Sequence, residues 1–342
     1  MSASLVLPHG ARVLVVRLSA LGDVLFGLET VASLKAERPD VRVDFLVEDR
    51  HAAVLATTPT IERVRTIPRR GLLRRLRTVL ALRRERYDAI LDLHGLLKSG
   101  IVVRLLRARH RLGFAAPGAR EGAHIAYRHA ITLPSPLPHR AERGLYLLRA
   151  LGLRGESVKP DLGVPRDLHP IWTDDDRPRV VLHPGASAFA AFKRWPIDRF
   201  RELAARLARE GVAVAVSFGP GENELADVLE RTAPTVRRLD GKSLGLLGLA
   251  HAMAGADLVV AADTGPLHIA AAVGTKVVAL FGPKDPALYG PRWNDDHTVL
   301  FHDVPCRPCK RRTCATPQCV LGLSVERVAS AIAHALALPI SR

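Results

Sequence analysis

Residues 258–282 are the segment that most constrains the fold of this 342-residue chain. An apolar run, Leu258–Ala262, is followed by Asp263-Thr264-Gly265-Pro266 and then by a run of small apolar residues, Leu267–Val273. A second apolar run, Lys276–Phe281, closes the segment. Two short β-prone runs around an alanine-rich stretch are typical of a strand–loop–helix–strand unit in a parallel sheet. The segment therefore predicts an α/β fold.

The loop inside this unit is a candidate phosphate site. In parallel sheets, ligands bind outside the carboxyl ends of the strands, where a helix N-terminus offers unpaired amides and the positive end of its dipole. Thr264 adds a hydroxyl, Gly265 allows the backbone to approach a ligand closely, and His268 lies one turn into the helix. The alternative is an ordinary α/β turn in which Asp263 only caps the helix.

The rest of the chain shows the same alternation of strands and helices, divided by a proline-rich linker at 155–179. We predict strands at Val13–Leu18, Val41–Val47, Val64–Ile67, Ala89–Leu93, Arg179–His183, 212–218 and 236–239, with helices that include Arg140–Leu151 and Val325–Leu338. This pattern predicts two Rossmann-like, doubly wound domains. The first covers residues 1–160, the second covers 178–322, and a C-terminal helix occupies 323–342.

The positive charge of the chain is concentrated in its first half. The net charge is +16, and residues 1–170 carry 29 Lys and Arg against 16 Asp and Glu. Between Arg63 and Arg86 there are ten arginines and one acidic residue, Glu85. Such a surface attracts polyanions, although solvated helix faces are the simpler explanation. We expect an acidic acceptor at a membrane rather than nucleic acid, because no aromatic side chains alternate with the arginines to stack on bases.

The sequence also indicates where the protein works. No apolar run reaches the roughly 18–20 residues that a membrane-spanning helix needs. The N-terminal residues MSASLVLPHGAR lack the features of a signal peptide. We therefore expect a cytoplasmic protein without a transmembrane segment.

Several loops of the predicted second domain end parallel strands and so meet at one edge of its sheet. They carry Ser187, Lys193 and Glu222, in addition to the Asp263 loop. Amides and a lysine suit a diphosphate, and a carboxylate suits a ribose hydroxyl, so this set predicts a nucleoside-diphosphate site. The loops differ from a P-loop, because the chain contains no GxxxxGK[ST] motif.

Asp23 is the candidate catalytic residue of the first domain. It follows Gly22 in the first strand-to-helix turn, where a carboxylate can take a proton from an incoming hydroxyl. The alternative is a carboxylate that only stabilises the helix N-terminus. A nicotinamide site is disfavoured, because this turn has one glycine where the dinucleotide fingerprint needs three.

The four cysteines lie within 14 residues, at Cys306, Cys309, Cys314 and Cys319. Four thiols at this spacing could hold a structural zinc ion or an iron–sulfur cluster, or they could be free thiols in a basic loop. Because the usual pattern has two separated CxxC pairs and this chain has one, the metal site is left as a speculative alternative. Asp174-Asp175-Asp176 matches a DxD pattern, but it lies in the linker and is interpreted as a solvated acidic run.

Four motifs in order along the chain resemble those of the bacterial heptosyltransferase family, glycosyltransferase family 9. They are SALGDVL at 19–25, YDAILDLHGLLKS at 87–99, KRWP at 193–196 and DTGPLH at 263–268. The resemblance extends over nearly the whole chain. It implies the GT-B fold, in which two Rossmann-like domains face each other across a cleft. It also implies an inverting, metal-independent enzyme that moves heptose from ADP-L-glycero-D-manno-heptose to the Kdo region of the lipopolysaccharide inner core.

The resemblance also assigns residues. Asp23 matches the catalytic base, while Lys193, Glu222 and the loop with Asp263, Thr264, Gly265 and His268 match donor-binding positions. Ser187 falls near a hydroxyl that contacts phosphate, and Lys98 and Arg120 match basic positions that meet the phosphorylated acceptor. One departure is Phe26, where many members of the family carry histidine.

These observations combine into one mechanism and three alternatives. A lipid-linked saccharide binds the first domain at the cytoplasmic face of the inner membrane, the ADP-sugar binds the second domain, and closure about 155–179 brings them together. The reaction needs no cofactor beyond the donor. The alternatives are a family-9 transferase with another nucleotide sugar or acceptor, a GT-B epimerase of nucleotide sugars, and a non-enzymatic nucleic-acid-binding protein.

Overall fold

A computed structural model describes residues 5–338, except for 166–169, 173–175, 187–191, 310 and 312. The chain divides into two compact units, Met1–Gly163 and Val164–Arg342. The division falls inside the segment that the sequence analysis interprets as a linker.

The first unit is built around a six-stranded parallel sheet in the order β3-β2-β1-β4-β5-β6. The strands are β1 (Arg12–Val16), β2 (Arg42–Glu48), β3 (Arg63–Ile67), β4 (Arg86–Asp92), β5 (Arg107–Phe114) and β6 (His129–Ile131). The helices are α1 (Leu21–Glu37), α2 (Leu72–Leu82), α3 (Leu97–Leu105) and α4 (Arg143–Ala150), with 3-10 turns at Asp49–Leu55 and Ala123–Ala126.

The second unit repeats this plan, with the strand order β12-β11-β10-β7-β8-β9. Its strands are β7 (Arg179–His183), β8 (Ala213–Phe218), β9 (Arg237–Asp240), β10 (Leu258–Ala262), β11 (Lys276–Phe281) and β12 (Thr298–Phe301). Its helices are α5 (Ile197–Arg209), α6 (Asn223–Thr232), α7 (Gly241–Ala254), α8 (Gly265–Val273), α9 (Pro286–Tyr289), α10 (Gln318–Leu321) and α11 (Val325–Leu336), with a 3-10 turn at Pro170–Trp172.

The central strands are mostly apolar, with polar residues near their ends, because helices cover both faces of each sheet. In β1, Val13 pairs with Val43 of β2 on one side and with Ala89 of β4 on the other. Helix α5 buries one face, from which Phe200, Leu203 and Leu207 enter the core at helical spacing. Helices α1 and α8 are instead buried on all sides over most of their length. The predicted α/β class and the Rossmann-like topology of both halves are confirmed.

Helix α11 belongs to the second unit, although the sequence analysis separates residues 323–342 as a distinct segment. Its residues Val325, Val328 and Ile332 are buried in the same core cluster as Val260 of β10. The apolar face of α11 is therefore part of what stabilises the second sheet. Among the described residues, no helix is both long and apolar enough to cross a membrane.

Each sheet has one point at which consecutive connections leave in opposite directions. These switch points lie between β1 and β4 in the first unit, and between β7 and β10 in the second. Ligands of open α/β sheets bind outside the carboxyl ends of the strands at such points. The topology therefore directs attention to the loops that follow these four strands.

Candidate functional site

Asp23 lies at the switch point of the first unit, in the first turn of α1. Arg17, at the end of β1, places its Nη2 2.7 Å from Asp23 Oδ2. Arg140, which precedes α4, donates from Nη1 to Asp23 Oδ1 over 3.0 Å. Arg17 also donates to the carbonyl oxygen of Leu93, so the same guanidinium ties the end of β4 to the carboxylate. Two arginines thus hold Asp23 in a fixed orientation.

The arginines also determine the charge state of Asp23. Burial alone would raise the pKa of this carboxyl, but the charges of Arg17 and Arg140 and their hydrogen bonds hold the pKa well below its usual range. Asp23 is therefore ionised at neutral pH. The helix-start interpretation accounts for its position, but it does not account for two converging arginines.

Asp23 lines a small pocket inside the first unit. Arg17, Arg140 and Arg143 line the pocket together with Phe26 and Phe114. With three guanidinium groups and one carboxylate, these walls carry an excess of positive charge. Phe26 packs edge-on against the ring of His139 at a centroid distance of 4.9 Å. The positive charge of these walls favours an anionic group at the mouth of the pocket, beside the carboxylate.

Lys98 lies near the same rim. It is in the first turn of α3, and its Nζ lies 3.0 Å from Ser19 Oγ and 3.1 Å from Glu48 Oε1. Ser19 lies in the loop between β1 and α1, just before the turn that carries Asp23, so Lys98 ties the start of α3 to this loop and to the end of β2. Arg120 is exposed on a neighbouring loop, which is anchored where the Arg120 amide donates to the carbonyl oxygen of Gly95.

Asp263 lies at the switch point of the second unit, directly after β10. The ammonium group of Lys193 forms an ion pair with Asp263 Oδ2, and His268 Nε2 lies 3.5 Å from Oδ1. Burial alone would raise the pKa of Asp263, but the hydrogen bond from His268 and the charge of Lys193 lower it. The structure thus brings together three of the predicted donor-binding residues.

The helix after Asp263 begins at Gly265, two residues before the predicted start at Leu267. Thr264 is the N-cap of α8, and its hydroxyl donates back to the carbonyl oxygen of Ala262 over 3.1 Å. Because this hydroxyl is directed toward β10, the first-turn amides of Gly265 and Leu267 are left for another acceptor. An anion at this helix end is favoured by these amides and by the dipole.

Glu222 connects the neighbouring loops. Its Oε1 accepts from the amide of Ala186 over 3.0 Å and from Arg194 Nη2 over 2.8 Å, while Oε2 accepts from the amide of Gly219 over 2.9 Å. A Cβ at Gly185 would lie 2.2 Å from Glu222 Oε2, so a larger residue there would displace the Glu222 carboxylate from these partners. Both carboxylate oxygens are thus engaged by the protein itself, and the geometry is that of a residue that positions the loops.

The remaining predicted residues give a mixed result. Ser187 lies outside the described residues, as do Asp174 and Asp175. Cys319 is buried against Gly282, and burial together with nearby Cys306 and Cys314 raises the pKa of its thiol. Within the described part of the chain, no group of three or more His, Cys, Asp or Glu residues is placed to hold a metal ion. The four cysteines are therefore not arranged there as a ligand set.

Three functional candidates were missed by the sequence analysis: Arg17, Arg140 and Arg194. Arg17 could have been found, because a lone arginine at the end of an otherwise apolar strand is directed toward the ligand edge. Arg194 lies within the KRWP motif but had no assigned role. Arg140 carries no local signal, because it is 117 residues from Asp23 in the chain.

Comparison with known proteins agrees with this geometry. Residues 75–320 match the family described as Glycosyltransferase family 9 (heptosyltransferase). The chain is 31% identical to Lipopolysaccharide heptosyltransferase 1 of Pseudomonas aeruginosa, over 96% of this chain and 99% of that relative.

Two solved structures of the Escherichia coli heptosyltransferase WaaC have the same fold. The complex with ADP has a TM-score of 0.79 and 26% identity, and covers 95% of this chain and 99% of WaaC. The complex with ADP-2-deoxy-2-fluoro heptose has a TM-score of 0.77 and 25% identity, and covers 94% of this chain and 99% of WaaC. The predicted GT-B fold is therefore confirmed, and the chain belongs to glycosyltransferase family 9, the heptosyltransferase family.

Proposed function

We propose that this protein transfers heptose from ADP-L-glycero-D-manno-heptose to the Kdo region of the lipopolysaccharide inner core, with inversion at the anomeric carbon. The observation that carries the proposal is the carboxylate at the first switch point, which faces a cationic pocket in a chain of this family. The relatives support the choice of substrates, since they include lipopolysaccharide heptosyltransferases and a protein solved with an ADP-heptose analogue.

The donor binds the second unit at the start of α8. Its diphosphate accepts hydrogen bonds from the Gly265 and Leu267 amides, and Lys193 shifts from Asp263 toward the phosphate oxygens. Thr264 and His268 complete this loop, and Ser187 is retained as a further phosphate contact. Glu222 holds the loops after β7 and β8 in register. Positive charge from Lys193 and the helix dipole stabilises the leaving diphosphate, so the reaction is proposed to be independent of a metal ion.

The acceptor binds the first unit, where Lys98 and Arg120 meet its anionic groups. Arg17 and Arg140 keep Asp23 ionised, which a base requires, but they also weaken its affinity for a proton. An acceptor carboxylate or phosphate bound beside Arg140 would compete for its guanidinium and so raise the basicity of Asp23. Arg140 is thus a positioning residue that couples acceptor binding to the base.

The chemical step is a single displacement. The acceptor hydroxyl oxygen attacks the anomeric carbon as the bond from that carbon to the β-phosphate oxygen breaks. Asp23 takes the hydroxyl proton, and ADP leaves with the bonding electron pair. Because the substrate is lipid-linked, we place the enzyme on the cytoplasmic face of the inner membrane as a peripheral protein.

The test combines binding and turnover. Calorimetric titration should rank ADP above UDP and GDP, and ADP-heptose should release ADP only when a de-acylated inner-core acceptor is present. The anomeric proton coupling of the product reports inversion, and an unchanged rate in EDTA supports metal independence. Stronger binding of UDP contradicts the donor, and isomerised sugar formed without acceptor would indicate the epimerase.

A further inference from the structure

Large apolar side chains are exposed in only one part of the described chain. All nine lie in the first unit, and eight of them fall between Leu72 and Ile125, while Val6 lies apart. Some are almost fully exposed: Leu72 is 83% exposed and Ile125 is 80% exposed. Exposed apolar side chains concentrated in this way mark an interaction site rather than ordinary surface variation.

Helix α2 carries the first part of this surface. Val79 and Leu82 bury one side of the helix, while Leu72, Leu73, Leu76 and Leu80 remain exposed. At 100° per residue, these four leucines occupy an arc of about 100° next to the buried side. The leucines are therefore a second apolar face that the unit itself does not cover.

Helix α3 carries the second part. Leu97, Ile101 and Leu105 recur every four residues and are 48%, 52% and 39% exposed, so they form one stripe. The 3-10 turn that bears Ile125 packs against this helix, with Gly100 close to Ala123. The stripe thus extends from α3 onto the turn.

Topology places the two helices on the same face of the sheet. The connections from β3 to β4 and from β4 to β5 both run in the same direction across the strand order. Because parallel crossovers are right-handed, α2 and α3 lie in the same layer. The connection from β1 to β2 runs the other way, which places α1 in the opposite layer, where it packs against α4.

We infer that this α2–α3 surface docks on an anionic lipid bilayer. Exposed arginines adjoin the leucines: Arg69 and Arg70 precede α2, Arg74 and Arg77 lie on it, and Arg104 lies on α3. Apolar side chains enter the boundary between headgroups and acyl chains, while arginines pair with the headgroup phosphates. A second copy of the chain fits less well, because its face would oppose arginines to arginines.

The inference deepens the proposed function and rests on it for the acceptor. Lys98, beside Leu97 at the start of α3, bonds to the loop that carries Asp23. A bilayer under α3 would therefore present a lipid-linked saccharide next to the proposed base. Surface docking and acceptor capture would occur at the same helix.

The test is co-sedimentation with vesicles of phosphatidylcholine, with and without phosphatidylglycerol. The unmodified protein should bind the anionic vesicles, and added salt should weaken the binding. The pair Leu73→Ser and Leu76→Ser should reduce the affinity by about tenfold or more, because two leucines no longer leave water. Val6→Ser is the matched control, since Val6 is 59% exposed on the same unit but outside the surface.

Substitution of two arginines measures the electrostatic part of vesicle binding separately from the apolar part. Replacing Arg74 and Arg77 with glutamine should cost about fivefold per arginine on anionic vesicles. Arg201→Gln on the second unit, with an exposed side chain, is the control and should have no effect. Equal binding to both kinds of vesicle, or no binding, would overturn the inference.

Turnover assays and sedimentation velocity distinguish failure of the docking surface from failure of the proposed function. The leucine variants should retain the melting temperature and the turnover of a de-acylated, water-soluble acceptor, but lose turnover of a vesicle-embedded acceptor. If the unmodified protein turns over neither acceptor, the proposed function is wrong. The vesicle-binding experiment tests the docking surface independently of that result. A dimer in sedimentation velocity that the leucine variants dissociate would identify a second copy as the occupant and refute bilayer docking.

Discussion

The two units share one topology but use its switch point differently. In the first, the carboxylate follows the first strand and two arginines hold it: Asp23 with Arg17 and Arg140. In the second, the carboxylate follows the fourth strand, and Asp263 pairs with Lys193 and His268 beside a helix N-terminus. The first arrangement holds an ionised carboxylate next to a cationic pocket, and the second holds a lysine paired with a carboxylate next to a helix N-terminus. The two sites thus share their position in the fold, and their side chains differ: those of the first suit the proposed proton transfer, and those of the second suit phosphate binding.

The largest expected effect separates the two sites. Asp23→Asn should lower kcat by about a thousandfold, because general-base catalysis contributes on the order of 10²–10⁴. The affinity for ADP should be unchanged, since ADP binds the other unit. Steady-state kinetics and calorimetry measure the two quantities.

Asp40→Asn is the control for this variant, because Asp40 is also paired with an arginine, Arg38, but lies before β2 at the opposite edge of the sheet. It should leave kcat unchanged. An Asp23→Asn enzyme that keeps half of its activity would remove Asp23 from the role of base.

The second effect probes the donor side. Lys193→Met should weaken ADP binding by about tenfold to a hundredfold and should also slow turnover, because a charge-assisted hydrogen bond to the diphosphate is lost. Lys276→Met is the control, since Lys276 begins β11 at the far edge of the same sheet. Unchanged ADP affinity in Lys193→Met would contradict the leaving-group role and would leave only the ion pair with Asp263.

A smaller effect is expected at Arg140, beside Asp23 in the first unit. Arg140→Gln should raise the KM for the acceptor by about tenfold and leave the KM for the ADP-sugar unchanged, because one charged contact to the acceptor is lost. The substitution also moves the pKa of Asp23 up toward the ordinary value of about 4, so the base stays ionised at neutral pH. Arg154→Gln, with a side chain that is 73% exposed, is the control. Equal changes in both KM values would argue against a subsite at Arg140.

The smallest effect concerns stability and pH. Burial lowers the pKa of His183 in the second unit and of His51 in the first to about 4. Below the ordinary histidine pKa of about 6.5, these histidines bind protons in the unfolded chain but not in the folded protein. The free energy of unfolding is therefore highest above about pH 6.5 and decreases as the pH falls toward about 4. Each histidine should contribute a slope of about 1.4 kcal/mol per pH unit. The lowered pKa of Asp23 acts in a different window, since its contribution is lost only as the pH falls below about 4.

Urea unfolding at several pH values between 7 and 5 measures this slope. His183→Asn should flatten it, whereas His9→Asn at an exposed position should not. A slope that His183→Asn leaves unchanged would show that other groups control the acid sensitivity.

The sequence analysis predicted the central, mostly buried strands and also the partly buried β3 and β9, but it missed β5, β6 and β12. β1, β4, β7 and β10 read as apolar runs because helices cover them on both sides. β5 was missed because only Leu112, Gly113 and Phe114 at its end are buried, and three of the five preceding residues are arginines. The helix predicted from Arg140 begins at Arg143, which leaves Arg140 on the preceding segment, where it reaches Asp23.

The sequence by itself determined the α/β class, the place of the two candidate sites at strand ends, the family resemblance and the concentration of arginine in the first half. These follow from local patterns: apolar periodicity, short loop motifs and charge counts. Only the tertiary structure shows that Arg140 contacts Asp23 and that the leucines of α2 remain exposed. It alone also shows that the Glu222 carboxylate accepts hydrogen bonds from Ala186, Gly219 and Arg194. The physical reason is that pairing and burial depend on which distant segments the sheet order brings together, and no local pattern records that order.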